Sequence, residues 1–167
     1  MKCLCFSDTH GSTDGMLKAL RKHSDCEVVF FLGDGLADAE DVSRTVNLPI
    51  AWLPVRGNCD FQRHFRDILT VEKTDEITLL GKKIVFTHGD LYGVKSSFYG
   101  LMELAEKRGA DAVLYGHTHI PSQEYVSVNS RGVFLFNPGS LSANAYPCTY
   151  GVIEINEKGI FFSNDKL

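Results

Sequence analysis

The feature that most constrains the fold of this sequence is a polar, glycine-flanked turn that recurs directly after apolar runs. The turns are Ser7-Asp8-Thr9-His10-Gly11, Gly33-Asp34-Gly35, Gly57-Asn58, His88-Gly89-Asp90 and Gly116-His117-Thr118-His119. Each apolar run predicts a buried strand, and loops at strand ends are where α/β proteins build their sites. The pattern therefore predicts an α/β fold with a site built from these turns.

Seven side chains in these turns belong to types that bind metal ions. They are Asp8, His10, Asp34, Asn58, His88, His117 and His119. Four imidazoles, two carboxylates and one amide exceed the demand of a single tetrahedral or octahedral site, so the set favours two ions over one. Two metals about 3.5–4 Å apart can clamp an in-line displacement at phosphorus. Spacing alone does not show which ligands pair across the loops.

These turns resemble the motifs of the calcineurin-like metallophosphoesterase family. The family pattern reads Asp-x-His, Gly-Asp, Gly-Asn, a lone His-Gly and Gly-His-x-His, and all five blocks occur in order between positions 8 and 119. The shortness of the chain is similar to that of the small, capless bacterial and archaeal phosphodiesterases of the family. The resemblance implies a metallophosphoesterase-like fold and a metal-dependent phosphodiesterase.

The resemblance also implies how the ligands divide between two divalent ions, with Asp34 shared by both. One ion takes Asp8, His10, Asp34 and His119, and the other takes Asp34, Asn58, His88 and His117. A metal-bridging hydroxide would then attack phosphorus, with Asp34, Asn58 and His88 as catalytic residues. Mixed nitrogen and oxygen ligation suits Mn²⁺, Fe, Ni²⁺, Co²⁺ or Zn²⁺, and Mn²⁺ is the expected metal.

One departure from the family pattern concerns the residue after Asn58. Many members carry a His there that assists the leaving group, whereas this chain has Cys59 and then Asp60. Without such an acid, an activated leaving group is favoured, because general acid help is worth roughly 10²–10⁴ in rate. Asp60 or a metal-bound water is an alternative proton donor. Cys59 is interpreted either as a thiol made reactive by nearby cations or as a packing residue.

Other residues near the motifs are candidates for supporting the ligands or contacting substrate. Asp90 is expected to orient a ligand imidazole, and Arg56 to contact a phosphate with its guanidinium. The Asn137-Pro138-Gly139-Ser140 segment is interpreted as a β-turn that supports the His117 and His119 loop. Residues interpreted as solvated or as surface positions are Arg63, Arg66, His23 and His64.

Composition limits the class of protein and its partners. The 167 residues are 44% hydrophobic and 23% charged, which suits one globular core, so a single domain over 1–167 is expected. The net charge of −4 argues against broad nucleic-acid binding, which needs Lys and Arg to neutralise phosphates. The expected partner is a small phosphate ester, and the family resemblance also allows a homo-oligomer.

The five cysteines form no CxxC pair, and their odd number excludes a complete disulfide framework. Cys3 and Cys5 alternate on one face of the first predicted strand and are interpreted as buried apolar residues. The start of the chain lacks a signal-peptide pattern, and no apolar run reaches the ~20 residues of a membrane span. The sequence therefore predicts a cytoplasmic protein.

The remaining pattern predicts the order of strands and helices. Predicted strands cover 2–7, 27–32, 50–55, 76–80, 83–87, 112–115, 124–128, 133–136, 149–155 and 160–163, and predicted helices cover 13–22, 37–45 and 96–107. The last four strands are interpreted as an antiparallel meander because of the turn residues between them. Together these elements predict an α/β sandwich of two mixed β-sheets flanked by helices.

Three functions remain open from the sequence. A divalent-metal phosphodiesterase is the leading hypothesis, and a phosphomonoesterase is the nearest alternative. The third is a metal-binding protein-interaction scaffold, because a eukaryotic retromer subunit resembles the same fold. In that lineage the ligand positions are partly eroded, whereas here every ligand block is intact, which favours an enzyme.

Overall fold

A computed structural model describes residues 1–60 and 71–167 of the chain. The described strands are β1 (Lys2–Phe6), β2 (Val28–Phe31), β3 (Ala51–Pro54), β4 (Thr74–Leu79), β5 (Lys82–Thr87), β6 (Ala112–Leu114), β7 (Ser122–Val128), β8 (Arg131–Asn137), β9 (Thr149–Asn156) and β10 (Gly159–Lys166). The described α-helices are α1 (Asp14–Lys22), α2 (Leu36–Thr45) and α3 (Tyr99–Arg108), and a short 3₁₀ helix covers Asp90–Tyr92.

The strands form two mixed sheets of five strands each. The first sheet has the order β10-β9-β1-β2-β3, and the second has the order β4-β5-β6-β8-β7. Strands β1, β2 and β3 run parallel to one another, as do β5, β6 and β8. Parallel strands place their carboxyl ends at the same edge of a sheet, so the turns that follow β1, β2 and β3 share one edge.

The core consists of three apolar layers, which follow from the alternation of side chains along each strand. Cys3 and Cys5 of β1 face the second sheet and pack with residues such as Phe86 of β5. Leu4 and Phe6 point the opposite way and pack with the buried faces of α1 and α2. The other outer face of the sandwich is covered by α3. The predicted sandwich of two mixed sheets flanked by helices is confirmed, as is the burial of Cys3 and Cys5.

The prediction of an antiparallel meander for the last four strands is wrong. Strands β7 and β8 form a hairpin in the second sheet, whereas β9 and β10 form a hairpin in the first. The turn residues specify each hairpin, but the partners of β8 and β9 are distant in sequence. Strand β8 pairs with β6 and β9 pairs with β1, so residues 138–148 cross from one sheet to the other.

The helix predicted from residue 96 begins at Tyr99 instead. Gly93 has a left-handed backbone with φ 62°, and its carbonyl accepts the N–H groups of Ser96 and Ser97. These turns occupy the residues that the apolar periodicity had assigned to the first helical turn. Across the described residues, no helix combines the length and the apolar character that crossing a membrane requires.

Candidate metal centre

All seven predicted ligands lie together beyond the strand ends, in two adjoining groups. We call Asp34, Asn58, His88 and His117 the His88 group, and Asp8, His10 and His119 the His119 group. In the His88 group, His88 Nε2 lies 3.1 Å from Asn58 Oδ1, 3.2 Å from His117 Nδ1 and 3.4 Å from Asp34 Oδ2. Four potential metal-ligand atoms, one from each residue, therefore lie close together around His88 Nε2.

The His119 group is equally compact. His119 Nε2 lies 3.1 Å from Asp8 Oδ1 and 3.3 Å from His10 Nε2. Asp34 Oδ2 connects the two groups, because it lies 3.9 Å from His10 Nε2 as well as close to His88. The structure thus brings all seven predicted residues together and places Asp34 between the two groups.

The backbone at this centre is unusual. Five of the seven residues are non-glycine residues in the left-handed region: Asp8 (φ 54°), His10 (φ 47°), Asp34 (φ 57°), His117 (φ 65°) and His119 (φ 61°). L-residues adopt this conformation rarely, because Cβ approaches the following carbonyl oxygen. Such strain clusters at functional sites, where the surrounding structure holds it in place.

Close approach explains two of the flanking glycines. A Cβ atom at Gly57 would collide with the Asp34 carboxylate, and one at Gly116 would collide with Ser7 Oγ. Glycine at these two positions lets the turns after different strands touch. The glycine-flanked pattern seen in the sequence is therefore a packing requirement of the centre.

Each carboxylate has one oxygen bound by the protein and one directed at the imidazoles. Asp8 Oδ2 accepts the Ser7 hydroxyl at 2.5 Å and the His117 N–H at 3.0 Å. Asp8 Oδ1 is buried and has no hydrogen-bond donor among the described residues. Asp34 Oδ1 accepts the Cys59 N–H at 2.7 Å, which leaves Oδ2 facing His10 and His88. Buried oxygens without donors fit a bound cation.

The tautomer of His88 is determined by the backbone. His88 Nδ1 lies 2.7 Å from the carbonyl oxygen of Leu32, which can only accept, so Nδ1 carries the proton. The lone pair of Nε2 then points at Asp34, Asn58 and His117, as a metal-binding imidazole requires. The expectation that Asp90 orients a ligand imidazole is wrong for His88, because the Leu32 carbonyl holds Nδ1. Asp90 Oδ2 pairs instead with Lys73 Nζ at 2.8 Å, and Asp90 Oδ1 has no hydrogen-bond partner among the described residues.

The electrostatics of the protein groups alone also favour a cation here. Burial raises the pKa of Asp34, but His88 and the Cys59 N–H lower it more strongly, so the net shift is well below the usual range. Contact with the Asp8 carboxylate raises the pKa of His119, whereas burial and the neighbouring His88 lower the pKa of His117. The Asp34 carboxylate is thus ionised and attracts positive charge, which metal ions supply.

Asp60 holds the turns of the His88 group in place. This buried carboxylate accepts four backbone N–H groups, from Asp34, Gly35, Leu36 and Gly57, at 2.7–2.9 Å. Both of its oxygens act as acceptors, which contradicts the alternative that Asp60 donates a proton to a leaving group. Sequence reasoning missed this clamp, since three of its partners lie 24 to 26 residues away.

Further buried side chains support the His119 group and its neighbours. Asp38 Oδ2 accepts the Thr9 hydroxyl at 2.6 Å and the Gly11 N–H at 2.7 Å, on either side of His10. Asn137 Nδ2 donates to the Gly116 carbonyl at 3.0 Å, directly before His117. The hypothesis that the Asn137 turn supports this loop agrees with these contacts. In the same segment, the Ser140 hydroxyl donates to the Asp8 carbonyl at 2.8 Å.

Cys59 is exposed rather than packed, so the packing interpretation is wrong. Its sulfur accepts a contact from Asn58 Nδ2 at 3.2 Å. Desolvation of the sulfur and the nearby Asp34 carboxylate raise the pKa of Cys59 to about 11, before any metal charge is counted. Arg56 is half-buried next to Gly57, and its backbone N–H donates to the Glu72 carbonyl at 3.0 Å.

The residues that the sequence analysis interpreted as solvated or as surface positions have different outcomes. Arg63, Arg66 and His64 lie outside the described residues. The interpretation of His23 as a surface residue is wrong, because its imidazole is largely buried and lies 3.1 Å from the Tyr150 hydroxyl. This contact joins the residue that follows α1 to β9.

Comparison with known proteins gives a consistent family assignment. The domain described as calcineurin-like phosphoesterase superfamily matches residues 1–158. The probable metallophosphoesterase YsnB of Bacillus subtilis is 35% identical over 141 residues, which cover 84% of this chain and 75% of YsnB. Phosphodiesterase YfcE of Escherichia coli K12 is 28% identical over 188 aligned positions, covering 99% and 94% of the two chains.

Solved structures show the same fold. An archaeal phosphodiesterase superposes with a TM-score of 0.75 at 25% identity, covering all of both chains. Vps29 of Entamoeba histolytica, solved as a complex with Zn²⁺, superposes with a TM-score of 0.72 at 19% identity and covers 99% of each chain. At 19% identity, the similarity to Vps29 concerns the fold alone.

Proposed function

This chain belongs to the calcineurin-like phosphoesterase superfamily, and from that premise we propose that it is a phosphodiesterase with two divalent metal ions. The phosphoesterase assignment follows from the family and from YsnB and YfcE. Diester specificity, the number of ions and the part played by each residue belong to the proposal. Mn²⁺ is the proposed metal, because nitrogen and oxygen donors without thiolate suit it.

The observation that carries the proposal is the convergence of nitrogen and oxygen atoms of metal-binding side chains that the surrounding protein already holds in place. His88 Nε2 points into the centre because Leu32 holds Nδ1, and Asp8 Oδ1 is a buried oxygen without a donor. Asp34 Oδ2 faces imidazoles of both groups. A structural role for these atoms would leave buried lone pairs opposed to one another, which is unfavourable without a cation between them.

The two groups suit one ion each. The His88 group would hold one ion through Asp34, Asn58, His88 and His117, and the His119 group would hold the other through Asp8, His10 and His119, with Asp34 shared. Divalent ions in such a pair supply a hydroxide nucleophile at neutral pH and neutralise charge on phosphoryl oxygens.

The chain itself contributes orientation and access. Asp34 is held from its backbone N–H by Asp60 and from its carboxylate by the Cys59 N–H, so its second oxygen has a fixed direction. His88 is fully buried, whereas His10 and His119 are partly exposed. Among the described residues, the partly exposed His10 and His119 therefore give a phosphoryl group access to the centre, whereas His88 lies on its buried side.

Activated esters should be the better substrates. Asp60 accepts four N–H groups and cannot protonate a leaving group, and the sequence has Cys59 where many family members have His. We expect aryl diesters to react faster than alkyl diesters by roughly the 10²–10⁴ that a general acid contributes. An alkyl diester cleaved as fast as an aryl diester would show that another group donates the proton.

The decisive experiment compares a bis-aryl phosphate with its aryl monophosphate, with Mn²⁺ added and the metal content measured in parallel. The wild type should cleave the diester preferentially, and Asp34→Asn should abolish this activity together with part of the bound metal. Asp75→Asn removes an exposed carboxylate away from the centre and should leave both properties unchanged.

The other outcomes identify the alternatives. Preferential cleavage of the monoester at matched leaving-group pKa would make the protein a phosphomonoesterase. Two bound metals without turnover of either ester would favour a protein-interaction scaffold, an alternative that the Vps29 fold keeps open. A reducing compartment such as the cytoplasm is also part of the proposal, because all five cysteines are free.

A further inference from the structure

A groove of about 590 Å³ opens directly beside the His119 group. It is lined by His10 and His119 of the candidate centre, by Ile120 and Pro121, which follow His119, and by residues 142 and 144–147. The groove is therefore continuous with the position at which a phosphoryl group would bind. A substituent bound in the groove would therefore lie next to the phosphorus of a phosphodiester bound at the candidate centre.

The walls of the groove present apolar surface that the protein leaves uncovered. Tyr146 is fully exposed, with a relative accessibility of 101%, and Ile120 is 67% exposed. Both belong to the segments that form the groove, and Pro121 and Pro147 lie beside them. An exposed aromatic ring and an exposed branched side chain in one concave site are the usual lining for the apolar part of a ligand.

The charges around the groove point to a neutral occupant. Among the described residues that line it, none is Asp, Glu, Lys or Arg. The other polar side chains in the lining are the small Ser142 and the exposed Asn144, and the titratable groups among the described lining residues are the Tyr146 phenol and the imidazoles of His10 and His119. An anionic or cationic extension would thus find no counter-ion, whereas a flat neutral ring can stack on Tyr146 and pack on Ile120.

We propose that this groove binds a neutral aromatic substituent of the phosphodiester, stacked on Tyr146 and packed against Ile120. The inference rests on the proposed function, because it places the phosphodiester at the metal centre. It makes the substrate class narrower: a diester with at least one aromatic group, an aryl ring or a nucleobase, rather than a diester of small alkyl alcohols.

The test uses two phosphinate anions that cannot be hydrolysed and that share one charged PO₂ group. Diphenylphosphinate can fill the groove, and dimethylphosphinate cannot. Titration calorimetry with the Mn²⁺-loaded wild type should give an affinity about tenfold or more in favour of diphenylphosphinate. Tyr146→Ala and Ile120→Ala should each remove most of this preference while the affinity for dimethylphosphinate stays within about twofold of wild type.

A matched control is Tyr99→Ala, which removes another exposed aromatic ring, 78% accessible, from the start of α3. It should retain the full preference for diphenylphosphinate. Equal affinity for the two phosphinates in the wild type would overturn the proposal, as would no measurable binding of either. A preference that persists in both Tyr146→Ala and Ile120→Ala would overturn it as well.

Binding and turnover separate the two proposals. A wild type that prefers diphenylphosphinate but hydrolyses no diester would retain the groove and refute the phosphodiesterase. A wild type that hydrolyses diesters but binds the two phosphinates equally would support the phosphodiesterase and refute the groove. The source of the ring is identified by comparing the phenyl ester with the thymidine 5′-ester of methylphosphonate, and tighter binding of either ester than of the methyl ester supports the groove.

Discussion

The two groups of the candidate metal centre differ in how firmly the protein holds their side chains. In the His88 group, the central imidazole is fully buried, its Nδ1 is bound by Leu32, and its turns are held by four hydrogen bonds to Asp60. In the His119 group, the side chains of His10 and His119 are 32% and 43% exposed. Within the described residues, neither ring donates from its second nitrogen.

The difference suggests a division of labour between the two proposed ions. Preorganised ligands bind a metal more tightly, because less side-chain freedom is lost on binding. Exposed, rotatable imidazoles release a metal more readily and also leave room for substrate. We therefore expect the ion of the His88 group to be the more firmly bound and the ion of the His119 group to be the one that exchanges.

Removing one imidazole from each group should give the largest effects. His88→Ala should lose both ions and reduce kcat/KM by on the order of 10³ or more, because the buried ligand that contacts Asp34 is gone. His119→Ala should retain one ion per chain. Metal content after dialysis, measured together with diester hydrolysis, checks both. If His119→Ala loses both ions and His88→Ala keeps one, the proposed order of affinity is reversed.

The two buried carboxylates that hold the turns offer a matched pair of smaller changes. Asp60→Asn replaces an acceptor of four N–H groups, so we expect roughly 10–100-fold weaker metal binding and a loss of about 2–3 kcal/mol in the free energy of unfolding. Asp38→Asn should cost about half as much stability, since its contacts around His10 are fewer. Calorimetric metal titration and denaturant unfolding of both variants test whether Asp60 contributes more than Asp38 to metal affinity and to the free energy of unfolding.

Graded chelation of the wild type probes the same comparison without mutation. The proposed ions should leave in two steps, with Kd values about tenfold or more apart, and the first step should alter the NMR signals of His10 and His119 before those of His88. A single cooperative step in which all the imidazole signals change together would mean that the two groups bind as one unit.

A control away from both groups should give the smallest effect. Asp111 accepts the Lys83 N–H at 2.8 Å and pairs with Arg131 at 2.7 Å. Burial raises the pKa of the Asp111 carboxyl, but the contacts with Lys83 and Arg131 lower this pKa by a larger amount. The net shift of the pKa is therefore downward. Its contribution to stability is therefore present above the unfolded pKa near 3.9 and is lost as the pH falls through the lower folded pKa.

Accordingly, Asp111→Asn should reduce the free energy of unfolding by about 1 kcal/mol at pH 7, and the difference from wild type should shrink below about pH 4. Metal content should stay at the wild-type value. Urea unfolding at pH 7 and pH 3 with a parallel metal assay tests this. Loss of metal from Asp111→Asn would show that general destabilisation, and not ligand support, governs occupancy in the other variants.

Much of the centre was predictable because its signals are local. An apolar run followed by Gly33-Asp34-Gly35 specifies a buried strand and a sharp turn within a few residues, and the same holds for the turn before His117. The contacts that hold the turns are not local. Asp60 bonds N–H groups up to 26 residues away, and the Leu32 carbonyl lies 56 residues from His88.

The same distinction explains the errors in the fold. The turn between β9 and β10 and the turn between β7 and β8 each determine a hairpin, but no short-range pattern assigns a hairpin to one sheet or the other. That assignment depends on the pairing of β1 with β9, in which Cys3 lies opposite Ile153. Long-range pairing of this kind is decided by packing in the folded chain.

The left-handed backbone of the ligands has a consequence for the evolution and engineering of this protein. Asp8, His10, Asp34, His117 and His119 all hold positive φ angles, each at a cost of roughly 1–2 kcal/mol relative to a relaxed conformation. Glycine at any of them would relieve that cost while deleting a donor atom. Substitution of any of these residues by glycine should therefore raise the free energy of unfolding while it weakens metal binding, a trade between stability and function that is common at functional sites.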